Sequence, residues 1–188
     1  MESAQKLYDR MLSSVREFET SLVEEASSFI QKRVLLMEEF RVGVRIGIYA
    51  PVNNEVNTEL LFTEGNRHRK EMYFPAVDEA GGVLDFYRIK NLDELAPGYA
   101  GILEPTSAVS RLRNLNTLDA IIVPGVAFDL RGGRLGYGKQ YYDNCLTGFR
   151  GKRIALAYDF QIVSELPIGI RERKVDWIVT EKRVIRCQ

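Results

Sequence analysis

Residues 119–146 read Asp119-Ala-Ile-Ile-Val-Pro-Gly-Val-Ala-Phe-Asp-Leu-Arg-Gly-Gly-Arg-Leu-Gly-Tyr-Gly-Lys-Gln-Tyr-Tyr-Asp-Asn-Cys-Leu146, and they hold a strand, a loop and the start of a helix. Ala120-Ile121-Ile122-Val123 is a short apolar run stopped by Pro124-Gly125. This is the pattern of a buried parallel strand, which ends before a proline because proline donates no ladder hydrogen bond. Beyond it Gly132, Gly133, Gly136 and Gly138 crowd into one loop among Arg131, Arg134 and Lys139. A sharp turn whose amides and three cations face one place is expected, an anion site in outline. Gln140 to Leu146 can be helical and Gly148 stands where a helix stop belongs, so a helix N-terminus would add free amides beside the loop. The same spacing also suits an ordinary turn between a strand and a helix. Neither Gly-x-x-x-x-Gly-Lys-Ser/Thr nor Gly-x-Gly-x-x-Gly can be read here, so generic phosphate motifs leave both readings open.

The chain around this stretch has 188 residues, 45% apolar and 28% charged, ordinary values for one domain with a substantial core. Lys plus Arg equals Asp plus Glu at 26 each and the pI is near 6.6. No global field draws the chain to nucleic acid or an anionic membrane, and any anion site must be local. Cys145 and Cys187 are too few and too far apart for a disulfide framework or a zinc cluster and are expected as free thiols. No apolar run approaches the roughly 18 residues that span a bilayer, and the N-terminus has no apolar signal region. A cytoplasmic protein is expected.

Toward the N-terminus, Leu7, Met11, Val15, Phe18, Leu22, Ala26 and Phe29 recur at helical spacing, one apolar face with Lys6 and Arg10 side by side on the polar face. Ser21-x-x-Glu24 reads as a capping box that starts a second helix after a break near Thr20. Val42 to Tyr49 reads as a strand with Val44, Ile46 and Ile48 inward, and a helix is expected after it, with Asn54 as N-cap and Glu55 as a first-turn acid. His68 falls among Arg67, Arg69 and Lys70 at an exposed helix end. Glu71 to Pro75, Val83 to Ile89, Lys152 to Tyr158, Val175 to Val179 and Val184-Ile185 read as further strands, and Asn91 to Pro97 as a short helical turn. Strands alternating with helices argue for an α/β fold over residues 1–188, a single domain with a doubly wound, largely parallel sheet and helices on both faces. Ligands of such a sheet bind beyond the C-terminal ends of its strands.

Pro124-Gly125-x-x-Phe128-Asp129, followed by Gly133-Arg134-Leu135-Gly136-x-Gly138-Lys139-x-Tyr141-Tyr142-Asp143, resembles the signature of the 5-formyltetrahydrofolate cyclo-ligase family, also called methenyltetrahydrofolate synthetases. The likeness runs from Lys6 to Glu181. It implies ATP- and magnesium-dependent cyclisation of 5-formyltetrahydrofolate to 5,10-methenyltetrahydrofolate, with ADP and phosphate released. By the same resemblance Lys6 and Arg10, Arg134, Lys139 and Tyr141 and the amides around Gly136 and Gly138 hold ATP. Lys139, Arg134 and Tyr142 form the catalytic set, Glu55 in Tyr49-x-x-x-x-x-Glu55-Val56-x-Thr58 binds the folate with Tyr142, and Asp143 with Glu172 holds Mg²⁺. The partners implied are the folate and ATP, with no nucleic acid and no membrane; a monomer is favoured.

Three positions depart from the family pattern: Ala76 where an arginine is frequent, Arg171-Glu172 where His or Asn and then Asp are usual, and Gln140 where glycine is common. Gln140 is expected in the first helical turn with negative φ, where it is a better helix former than glycine by about 0.5 to 1 kcal/mol. The departures leave room for a folate- or nucleotide-binding paralogue without turnover. A similar sheet could also carry an isomerase or transferase for small phosphorylated substrates.

Overall fold

The computed structural model describes residues 3–106, 109–167 and 174–187. In chain order its elements are α1 (Ala4–Arg16), α2 (Thr20–Leu36), α3 (Glu38–Val42), β1 (Arg45–Gly47), α4 (Glu59–Arg67), β2 (Glu71–Asp78), β3 (Val83–Ile89), β4 (Leu95–Pro97), β5 (Leu103–Pro105), β6 (Ala120–Val123), β7 (Ala127–Asp129), β8 (Arg134–Leu135), α5 (Tyr141–Leu146), β9 (Lys152–Leu156), β10 (Ile162–Val163), β11 (Trp177–Val179) and β12 (Val184–Arg186). The main sheet runs β12-β11-β9-β6-β1-β2-β3. Its five inner strands are parallel, and β12 and β3 close the edges antiparallel. This is the expected mostly parallel α/β sheet.

The apolar run at β6 is buried at every residue because both faces of the sheet are covered. Ala120 and Ile122 join Ile46, Ile48, Ile154 and Leu156 on the face packed by Ile30 and Val34 of α2, Phe40 of α3 and Leu61 and Phe62 of α4. Ile121 and Val123 join Ala155 and Ile178 on the opposite face, covered by Cys145 and Leu146 of α5 with Leu118 and Phe149. Among the described residues, α2, α3 and α4 cover one face and the short α5 the other. A third cluster, Leu7 and Met11 of α1 with Val126, Ala127 and Leu166, seats α1 against the small sheet β10-β7-β8.

Several local expectations change. The break after α1 is present, but α2 starts at Thr20, so Ser21 lies in its first turn and donates its hydroxyl to Glu19 (2.7 Å) instead of forming a capping box. Leu22 and Phe29 are 43% and 50% exposed, because Ala26, Ile30 and Val34 set the buried face of α2. Val44 is exposed and β1 keeps only Arg45–Gly47. The helix expected at Asn54 starts at Glu59 instead. Asn53 and Asn54 both take the left-handed conformation (φ 49° and 63°), which asparagine tolerates better than most residues, and they turn the chain away from a helix. The Asn54 amide donates to the carbonyls of Arg16 and Phe18, tying this loop to the junction of α1 and α2. Residues 95–97 form β4 after a single 3₁₀ turn at Leu92–Glu94.

Gln140 is also corrected. It is the N-cap of α5 with φ 58° and ψ 5°, left-handed and not part of the helical turn. A side chain resists that conformation, whereas glycine adopts it freely. Gln140→Gly is therefore expected to raise stability by about 1 kcal/mol, read as a higher denaturant midpoint at unchanged slope; an unaltered or lower midpoint would show that residue 140 carries no such strain. At the other end of α5, Gly148 has φ 77° just past the C-cap Thr147 and stops the helix as expected.

Candidate active site

The chain runs from β1 outward to β2 on one side of the sheet and from β6 through β9 to β11 on the other. The strand order therefore reverses between β1 and β6, and the space beyond the C-terminal strand ends at such a switch point is where open α/β sheets bind ligands. Three loops meet in it: Tyr49 to Glu55 after β1, Pro124-Gly125 after β6, and Tyr158 to Gln161 after β9. Tyr49, Glu55, Pro124, Gly125, Tyr137 and Gln161 line a small pocket at this place.

Glu55 is only 9% exposed, and its Oε2 accepts the Val52 amide (3.0 Å). Burial pushes its carboxyl up to about 7, against the opposing effects of a hydrogen bond from Tyr137, the Val52 amide and the charge of Arg134. Glu55 is thus a buried acid whose carboxyl is raised by burial, and no helix-start residue, since α4 begins four positions later. Burial first, then the neighbouring carboxylate, hold the Tyr137 and Tyr142 hydroxyls far above the usual tyrosine range, so both stay protonated.

Arg134 closes the floor. Its side chain is 2% exposed; Nε donates to the Pro124 carbonyl (2.8 Å), Nη1 pairs with Asp143 Oδ1 (3.0 Å), and the guanidinium lies 5.2 Å from the centre of the Tyr142 ring. Burial lowers its pKa and Asp143 opposes that, but a guanidinium stays charged in proteins. Gly136 lies against this group: a Cβ there would approach Arg134 Nη1 to 2.9 Å. Gly138 is exposed and needs glycine for its φ of 88°. Asp129 explains another part of the quoted stretch in structural terms, because its buried carboxylate accepts the amides of Arg131, Gly133 and Leu166 and fixes the glycine turn.

The three loop cations do not gather at one point, as was expected. Arg131 faces Glu165 (3.7 Å), Arg134 turns inward to Asp143, and Lys139 stays in solvent just ahead of α5. Lys6 and Arg10 stand on the exposed side of α1, one turn apart, while Leu7 and Met11 of the same helix belong to the cluster against which Tyr137 packs. Tyr141 is half-buried, edge-on to Tyr99 with ring centres 5.8 Å apart. Glu172 lies outside the described residues. Sequence reasoning missed Tyr137, an unspecified position between two glycines, and Gln161, whose buried amide donates to the Gly125 and Val126 carbonyls (2.8 and 3.0 Å) and pins the loop after β6. No sequence motif marks Gln161; a bulky aromatic within a loop otherwise stripped of side chains was a signal for Tyr137.

Among the described residues no group of three or more His, Cys, Asp or Glu side chains could cage a metal. Magnesium that arrives on a nucleotide needs less, one or two carboxylates with phosphates supplying most other ligands. Asp143, held at the glycine loop by Arg134, suits that donor set.

The 5-formyltetrahydrofolate cyclo-ligase family model matches residues 1–181. The chain is 31% identical over 147 residues to the 5-formyltetrahydrofolate cyclo-ligase of Haemophilus influenzae, covering 76% of this chain and 79% of that protein. To the mouse 5-formyltetrahydrofolate cyclo-ligase it is 29% identical over 166 residues, 82% of each chain. The solution structure of the 5,10-methenyltetrahydrofolate synthetase of Aquifex aeolicus superposes with a TM-score of 0.87 at 34% identity, covering 98% of this chain and 93% of that one.

Proposed function

The chain belongs to the 5-formyltetrahydrofolate cyclo-ligase family, and from that premise we propose that the site between β1 and β6 cyclises 5-formyltetrahydrofolate to 5,10-methenyltetrahydrofolate at the expense of ATP. The chemistry asks for activation, because a formamide oxygen is a poor leaving group. The formyl oxygen takes the γ-phosphoryl group, ADP leaves, N10 attacks the activated formyl carbon and loses its proton, and phosphate departs as the methenyl bridge closes. Phosphoryl transfer of this kind is catalysed mainly by positioning and charge neutralisation.

The observation that carries the reading is Glu55, a buried carboxylate at the switch point with Arg134 and Tyr137 beside it. A carboxylate there would accept N–H groups from the amino-pyrimidine edge of a pterin through charge-assisted hydrogen bonds, which are strong when shielded from water. Tyr142 would flank the pterin. The amides of Gly136 and Gly138 with Lys139, Lys6, Arg10 and Tyr141 would receive the nucleotide, and Arg134 would hold the loop and neutralise charge from beneath. Magnesium bound with the nucleotide would neutralise phosphate charge, and Asp143, with Glu172 as a second carboxylate, would hold it.

The reading is tested by adding ATP, Mg²⁺ and 5-formyltetrahydrofolate and following both methenyltetrahydrofolate absorbance and ADP. Appearance of both in equal amounts is the expected result; tight binding of both ligands without ADP would identify a binding paralogue. Lys139→Met is expected to lower turnover about 100-fold with the fold intact, because a phosphate-neutralising cation acts chiefly in the transition state. Equal rates in a variant with an unchanged far-UV spectrum and melting temperature would remove Lys139 from the reaction.

A further inference from the structure

We infer that Tyr137 is a positioning residue that couples the two halves of the site, so that phosphate seated on the Gly136–Gly138 loop raises the affinity of the Glu55 side for folate. The inference rests on the proposed function, which puts nucleotide on that loop and folate at Glu55. Tyr137 is the residue between the two loop glycines, and its side chain reaches away from the loop in two directions at once. The ring packs against the cluster of Leu7 and Met11 on α1, the helix that also bears Lys6 and Arg10. Its side chain lines the same small pocket as Glu55, and the hydroxyl hydrogen-bonds that residue on the loop after β1.

Tyr137 therefore joins three pieces of the site: α1, the glycine loop to which it belongs, and the Glu55 carboxylate. Gly138 has a backbone conformation that side chains resist, and Gly136 has no room for a Cβ above Arg134. The backbone on either side of Tyr137 is thus built for a close turn, and phosphates held by its amides would fix that turn. With the turn fixed, the tyrosine hydroxyl is held where it meets Glu55, and Glu55, anchored on its other side by the Val52 amide, loses less freedom when a folate binds. The second ligand then meets an already ordered partner, and the effect must run equally in both directions. Burial and the adjacent carboxylate keep Tyr137 protonated, so it acts as the donor in this pair across the working pH range.

The test is calorimetric titration of 5-formyltetrahydrofolate with and without a non-hydrolysable ATP analogue and Mg²⁺, for the wild type and for Tyr137→Phe, which keeps the ring and removes only the hydroxyl. The wild type is expected to bind folate about 10-fold more tightly with the analogue present, within the usual range of coupling between sites. In Tyr137→Phe, titrated at a pH high enough that Glu55 is ionised in both proteins, that factor is expected to fall below about twofold. A wild type that binds both ligands independently, or a variant that keeps the full factor, overturns the coupling while leaving the proposed function standing. A wild type that binds no folate overturns the proposed function and the coupling with it. A second measurement keeps the inference exposed should the variant bind poorly: NMR titration of the Glu55 carboxyl in the ligand-free protein. Loss of the tyrosine donor should move its midpoint upward from about 7, whereas an unmoved midpoint would show that the hydroxyl does not hold Glu55.

Discussion

Arg134→Met is expected to cost about 3 to 5 kcal/mol of stability and to abolish measurable turnover. The guanidinium is 2% exposed and serves three groups at once: the Pro124 carbonyl, the Asp143 carboxylate and, through its charge, Glu55. Methionine fills similar space but donates nothing. It would strand a buried carbonyl and remove the counter-charge of two carboxylates, and breaking one side of a buried ion pair is costly because the remaining charge keeps its desolvation penalty. Arg134→Lys should recover only part of the loss, since one ammonium on a flexible stem cannot hold Pro124 and Asp143 in the planar fork that a guanidinium offers. Chemical denaturation of the three proteins measures this order. A methionine variant within about 1 kcal/mol of the wild type would mean that the Arg134–Asp143 pair contributes little, as some buried pairs do when their desolvation is large.

The parts of this fold that were legible in the sequence are those whose signal is local and unopposed. Ala120–Val123 is an apolar run between a turn and a proline, and β6 occupies those residues; Val83–Ile89 opens after two glycines, and β3 does the same. Gly148 ends α5 because a left-handed residue is needed there and glycine supplies it. The misreadings have one physical cause, a local preference overruled by a tertiary requirement. Glutamine favours a helix, so Gln140 read as helical, but the chain must turn left-handed between Gly138 and α5 and holds it at φ 58°. Asn54-Glu55 looks like a helix start, but two consecutive left-handed asparagines turn the loop inward and bury Glu55 beyond the strand ends. The site shows the same division. The glycine loop and its motif residues stand out in sequence, whereas the contact between Glu55 and Tyr137 joins segments about 80 positions apart and has no periodicity to announce it. Nor could spacing show that Arg134 turns inward while Arg131 and Lys139 do not.

Glu55→Gln should weaken folate use and strengthen the fold, and the second effect has a defined pH window. In the unfolded chain a glutamate titrates near 4.5; in the folded protein burial raises Glu55 to about 7. Between those values the native state keeps a proton that the unfolded state releases, so the native state binds more protons and stability falls as pH rises. The fall begins near 4.5, is complete just above 7, and amounts to about 3 kcal/mol. Glutamine is close to isosteric and neutral at every pH. The variant should therefore match the wild type near pH 4.5 and exceed it by about 2 to 3 kcal/mol at pH 8, where the wild type must bury an ionised carboxylate. At pH 8 the same change should reduce kcat/KM for 5-formyltetrahydrofolate by about 100-fold, roughly 2.7 kcal/mol of lost recognition, because an amide accepts N–H groups without the charge. Denaturant unfolding at the two pH values and initial rates at the higher one measure both arms. A variant no more stable than the wild type at pH 8 would show that Glu55 reaches water, and one that keeps full kcat/KM would move folate recognition elsewhere. Gain of stability with loss of activity is what separates a residue kept for its ligand from one kept for the fold: a carboxylate that weakens the native state whenever it ionises has no reason to stay buried at the switch point of the sheet unless something binds it there.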